Sequence, residues 1–173
     1  IYGAGPMGLT AIQALKGVYG VKQVIVADRI PARLEMARRN GADRVIDNTN
    51  ISLQSVFDAE GLRPTLVVDA ACHPAILQQA INLASPAARI GIMGFSSEPC
   101  TITQQSITSK EISIFSSRLN SHKFPTVIQW MEQGLIHPDM LISHCMPLEH
   151  VEQAMTIFAN DPKTCCKVLL QLG

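Results

Sequence analysis

Ile1-Tyr2-Gly3-Ala4-Gly5-Pro6-Met7-Gly8 opens the chain, and Val24-Ile25-Val26-Ala27-Asp28 follows it; these two stretches decide the fold. The first carries the end of a strand straight into glycines spaced GxGxxG, and the second is an apolar strand ending in an acid twenty residues after Gly8. In a strand, turn and helix of this kind each glycine has a steric task. Gly3 permits the tight bend, Gly5 lets a pyrophosphate approach the backbone, and Gly8 lets the helix close on the strand. The free N–H groups and positive end of that helix then face the phosphate. Met7, Ala11, Ile12 and Leu15 recur at helical spacing behind Pro6, and Gly17 and Gly20 mark the helix exit.

A carboxylate at Asp28 accepts hydrogen bonds from both ribose hydroxyls of an adenosine and repels a 2′-phosphate, which favours NAD over NADP. Arg29 and Arg33 pull the other way, since a nearby arginine can hold that phosphate; Arg33 is assigned to the adenine or ribose edge. Asp28 is also placed to cap the helix that begins near Pro31, and the two roles are compatible. Only Ile1 and Tyr2 stand before the turn and no initiating Met is present, so a truncated first strand and a fragment of a longer protein are expected.

Composition bounds the rest. The 173 residues are 47% hydrophobic and 16% charged, enough for one substantial core plus an appendage. Fourteen basic residues balance fourteen acidic ones, which leaves no electrostatic footprint for nucleic acid or an anionic membrane. No apolar run is long enough to span a bilayer. Cys72, Cys100, Cys145, Cys165 and Cys166 are odd in number and lack framework spacing, as expected of reduced thiols in the cytoplasm. The five histidines are scattered singly, so no metal site is expected from this chain alone.

Apolar runs alternate with helical segments along the chain. Strands are expected at Arg44–Ile46, Thr65–Asp69, Ala88–Gly94 and Lys110–Phe115, and helices at Pro31–Asn40, Leu53–Glu60, Pro74–Leu83 and Pro125–Gln133. The last of these, with Trp130 and Met131 on its apolar side, is expected to pack on the sheet. The pattern is that of a doubly wound α/β fold with a six-stranded parallel sheet. Ligands of such sheets lie beyond the carboxyl ends of the strands, which singles out Ala70, Ala71, Cys72, Met93, Gly94 and Phe95. Arg118, beside Ser116 and Ser117 at another strand end, can reach a phosphate, a substrate carboxylate or a partner domain. Beyond Gly134 the rhythm changes to Met140–Ser143, a helix near Glu149–Ala159, and Lys167–Leu170, a tail too short for its own core.

GAGPMGL at 3–9, VIVADRIPARLEMARRNGAD at 24–43, VVDAACHP at 67–74, ARIGIMGF at 88–95, KEISIFSSR at 110–118 and the closing CCKVLL together resemble the nucleotide-binding half of medium-chain, zinc-type alcohol dehydrogenases. The sorbitol and threonine dehydrogenase branch is nearest, and the resemblance covers essentially the whole chain. It implies a Rossmann domain over residues 1–138. It also implies that residues 139–173 complete an N-terminal GroES-like catalytic domain that carries the zinc and lies outside the chain. The implied chemistry is hydride transfer between NAD and a secondary alcohol, here of a polyol or sugar acid. By the same resemblance Met7 sits under the pyrophosphate, Asp28 and Arg33 hold the adenosine ribose, and Met93, Gly94 and Phe95 flank the nicotinamide. Ser117 and Arg118 fall where such enzymes approach nicotinamide and substrate. Ala71-Cys72 stands where many relatives carry Thr-Gly, which leaves the contact at Ala71 open. No catalytic or metal-ligating residue has a counterpart in this chain. Edge-to-edge pairing through Ile112–Phe115 would give a homodimer or tetramer. Two other readings stand beside this one: a nucleotide-sensing module without catalysis, and a zinc-free NADPH quinone reductase, against which Asp28 argues.

Overall fold

A computed structural model describes all 173 residues. The glycine turn leads into α1 (Pro6–Gln13), whose helical path continues through a π-type turn to Val18. There follow β1 (Ile25–Asp28), α2 (Pro31–Arg39), β2 (Arg44–Asp47), α3 (Leu53–Ala59), β3 (Leu66–Asp69), α4 (Pro74–Leu83) and β4 (Arg89–Ile92). After them come α5 (Gln104–Thr108), β5 (Ser113–Ser116) and α6 (Phe124–Glu132). Four of these helices carry Pro at their start, where its missing N–H costs nothing.

β1 pairs with β2, and β3 pairs with β4, which pairs with β5, all in parallel. Six strands were expected; five form. The sixth position, between β1 and β3, is held by Tyr2 through single bridges to Ala27 and Asp69. Tyr2 N–H donates to Val68 C=O at 2.8 Å, Gly3 N–H to Ala27 C=O at 2.8 Å, and Ala70 N–H to Tyr2 C=O at 2.9 Å. Two residues cannot make a ladder of their own, so the central strand is reduced to a staple. The N-terminal ends of β1 and β3 part around an apolar slot of about 370 Å³, lined among others by Ile1, Leu15, Val24, Phe57 and Leu66.

Side chains of successive strand residues alternate between two cores, as both faces of a doubly wound sheet require. Ala27, Ile46, Val67 and Ile90 join Leu53 and Phe57 of α3 and Ile76, Ala80 and Ile81 of α4. Val24 and Val26 join Ala4, Leu9 and Ile12 of the first turn and helix and Ala37 of α2.

Two expectations are corrected. α6 buries none of its residues, and Met131 is 40% exposed; Trp130 meets the rest of the molecule edge-on against Tyr19, centroids 6.2 Å apart. The Lys110–Phe115 strand begins later, at Ser113, because Lys110, Glu111 and Ile112 N–H groups close turns onto Ile107 and Thr108 carbonyls of α5. Phe115 stays 57% exposed on this edge strand. In the tail, β6 (Ile142–Pro147) and β7 (Lys167–Gln171) pair in parallel as a separate sheet, with α7 (Val151–Asn160) between them in sequence. Leu141 and Cys166 anchor this unit in the α1/α2 core. No helix is long and apolar enough to cross a membrane.

Candidate functional site

The carboxyl ends of β1 and β3 and the glycine turn enclose a cleft of about 340 Å³. Of the residues singled out in sequence, Gly3, Gly5, Asp28, Arg33, Ala70 and Ala71 line it. The glycines act by three different physical means. Gly3 has φ +91°, and a β-carbon there would stand 3.0 Å from the Ala71 β-carbon. At Gly8 a β-carbon would lie 1.9 Å from the Gly3 carbonyl oxygen, so α1 is seated on the turn itself. Gly5 has an ordinary φ of −75° and nothing within 4 Å of its missing β-carbon, which leaves open space above the backbone. Met7 is 49% exposed in the first turn of α1, outside the cleft lining.

Asp28 ends β1 with both carboxylate oxygens on backbone donors: Oδ2 accepts Ala4 N–H at 2.7 Å and Oδ1 accepts Ile30 N–H at 2.9 Å. The residue capping α2 is Ile30, without a side-chain cap, so Asp28 braces the glycine turn instead of closing that helix. Each oxygen keeps lone-pair capacity toward the cleft. Arg33 lies on the cleft wall with Nε donating to Pro162 C=O at 3.0 Å, which ties its guanidinium to the tail. Arg29, weighed in sequence as a phosphate partner, also lines the wall, together with Ile30, Asn48, His73 and Gln79, which were not singled out from sequence. Asn48 follows β2 as Asp28 ends β1, so the strand-end rule reaches it; Gln79 sits inside α4 and carries no local signal. His73 caps α4, its Nδ1 accepting Ala75 N–H at 3.2 Å.

The remaining residues form a second group beyond β4 and β5. Met93 N–H donates to Asp69 C=O at 2.9 Å, and Phe95 N–H to Cys72 Sγ at 3.3 Å. Gly94 passes so close to Cys72 that a β-carbon would lie 2.8 Å from its Cα. The Arg118 guanidinium stands 4.2 Å over the Phe95 ring, a cation–π contact that links the β4 and β5 ends, and Ser117 N–H donates to Ile92 C=O at 3.0 Å. No three His, Cys, Asp or Glu side chains gather as a metal-binding group.

A model of the zinc-binding dehydrogenases matches residues 6–133. The chain belongs to that family. It is 59% identical over 170 residues to the starvation-sensing protein RspB of Escherichia coli K12, covering 98% of this chain and 50% of RspB. Sorbitol dehydrogenase of Bacillus subtilis is 28% identical over 173 residues, again across 98% of this chain and 49% of that protein. Among solved structures, RspB of E. coli CFT073, a short chain alcohol dehydrogenase complexed with the cofactor NADH, superposes with a TM-score of 0.97 at 59% identity. That match covers 99% of this chain and 51% of that one. L-idonate 5-dehydrogenase of E. coli shares the fold, with a TM-score of 0.87 at 24% identity, over 98% of this chain and 49% of its own. The chain thus spans about half the length of the relatives it matches.

Proposed function

We propose that this chain is the NAD-binding part of a zinc-dependent oxidoreductase that transfers a hydride between NAD and a secondary alcohol of a polyol or sugar acid. The observation that carries the reading is the Asp28 carboxylate held against the glycine turn by Ala4 N–H, at the mouth of a cleft roofed by open space over Gly5.

These residues fit the cofactor. The α1 N-terminus offers backbone donors to a pyrophosphate over Gly5. Asp28 takes the ribose hydroxyls with its free lone pairs, and its charge opposes a 2′-phosphate. Arg33, anchored through Nε to Pro162 C=O, keeps its remaining guanidinium N–H groups for the ribose edge on the cleft wall. Met93, Gly94 and Phe95, with Ser117 and Arg118, form the wall on the nicotinamide side. When bound, the nicotinamide supplies the carbon that gains or gives up the hydride; the chain binds, orients and shields it. Zinc is assigned to residues outside these 173.

The naming of relatives as sorbitol and L-idonate dehydrogenases supports a polyol or sugar acid as substrate. Residues 139–173 are assigned to the catalytic half. Their α7 leaves Val151, Met155 and Phe158 at 40%, 63% and 60% exposure, a face suited to packing against another domain. The exposed β5 edge, with Phe115, suits pairing with a second copy in a homodimer or tetramer. A nucleotide-sensing role without catalysis draws support from the name of RspB alone. It uses the same cleft, and polyol oxidation by a protein carrying the zinc-ligand half separates the two.

Thermal melting with each dinucleotide tests the cofactor assignment. Saturating NAD raises the midpoint and NADP at equal concentration does so much less; no response to either overturns the assignment.

A further inference from the structure

Residues 1–136 and 139–173 are joined by a single hydrogen bond, from Arg33 Nε to Pro162 C=O at 3.0 Å. Its two ends lie 129 residues apart in sequence, and Arg33 is half-buried on α2 where it lines the cleft. The turn that offers the carbonyl is built from its own bonds. Asp161 Oδ1 accepts Lys163 N–H at 3.2 Å and Thr164 N–H at 3.1 Å, Oδ2 accepts the Thr164 hydroxyl at 2.5 Å, and Asp161 C=O accepts Cys165 N–H at 3.0 Å. Immediately beyond, Cys165 and Cys166 are buried, and Cys166 belongs to the core formed by Leu9, Ile12 and Ala37.

A guanidinium presents all its N–H donors in one rigid plane. In Arg33 the Nε donor is engaged by the tail, and the terminal nitrogens remain for an acceptor in the cleft. An acceptor there fixes the far end of the plane, and a plane fixed at one end loses less freedom when it bonds at the other. Each bond therefore strengthens its counterpart, and the effect runs equally in both directions. Other carriers of such coupling are few. No ion pair joins the two parts. Their shared apolar core holds the tail through Leu141 and Cys166, neither of which lines the cleft.

We infer that Arg33 couples the cleft to the tail: a dinucleotide ribose held by its terminal N–H groups tightens the turn at residues 161–166, and the seating of that turn in return raises affinity for the dinucleotide. The inference rests on the cofactor reading above. It makes Arg33 a positioning residue for the segment assigned to the catalytic half, which is then held most firmly when the cleft is filled.

The test is amide hydrogen exchange of the chain with and without saturating NAD, beside calorimetric titration. NAD should slow exchange at Lys163, Thr164 and Cys165 about fivefold or more. Arg33→Met keeps an unbranched stem and loses every donor. It should bind NAD more weakly and, once saturated, leave those three amides exchanging as in the free chain. In the other direction Asp161→Ala, outside the cleft lining, should weaken NAD severalfold by loosening the turn. NAD that binds the unaltered chain without slowing these amides overturns the inference and leaves the cofactor reading standing. Slowing that persists in NAD-saturated Arg33→Met also overturns it, since the coupling then runs elsewhere, and so does full NAD affinity in Asp161→Ala. Failure of the unaltered chain to bind NAD overturns the cofactor reading itself, and the inference with it.

Discussion

The Asp28 carboxylate accepts the Ala4 N–H at 2.7 Å, across the gap between the end of β1 and the glycine turn. Its other oxygen takes Ile30 N–H, so the group assigned to the ribose also holds together the two loops that frame the cleft. Asp28→Asn places an amide N–H opposite one of these donors, and Asp28→Ala leaves both donors without the carboxylate. Each substitution should cost about 2 kcal/mol of stability, measured by urea unfolding. A loss below about 0.5 kcal/mol would show the bracing to be incidental.

Gly5 and Gly8 separate ligand space from packing. Gly8→Ala drives a β-carbon to 1.9 Å from the Gly3 carbonyl oxygen, backbone against backbone, and should cost about 3 kcal/mol or more. Gly5→Ala meets no atom within 4 Å and should leave stability within about 0.5 kcal/mol. It should nonetheless weaken NAD by about tenfold or more, since the methyl group occupies the space assigned to the pyrophosphate. Thermal melts beside NAD titration of both variants check the contrast; undiminished NAD affinity in Gly5→Ala would contradict the assignment.

Cys72 holds the exit of β4. It has φ +61°, unusual for a residue with a β-carbon, and its sulfur is the one partner outside the loop for any N–H between residues 94 and 102. Cys72→Ala should release the Phe95 amide, raising its hydrogen exchange about fivefold or more, in keeping with the loss of one modest hydrogen bond. Unchanged exchange at Phe95 would assign the loop's order to the Arg118 contact instead.

The glycine turn, Asp28 and the alternating strands were legible because their signals are local: fixed spacing, apolar runs and small residues at bends. α4 was read to the residue, since Pro74 and Leu83 bound a helical pattern with its own cap. α6 was misread because an apolar stripe carrying Trp130 signals burial somewhere, without saying that the face stays uncovered in this chain. The sixth strand was expected from fold pattern, while only Tyr2 forms β-bridges at that position. The link from Arg33 to Pro162 left no trace in sequence. Its ends stand 129 residues apart, and a backbone carbonyl carries no signal of its own.

The central claim is that Asp28 reads an NAD ribose at the glycine turn. Calorimetric titration of the unaltered chain and of Asp28→Ala with NAD and NADP tests it most directly. The account predicts a preference for NAD in the unaltered chain that falls about tenfold or more in the variant, NAD losing affinity while NADP holds or gains. An NAD-to-NADP ratio that is the same in both chains would contradict it.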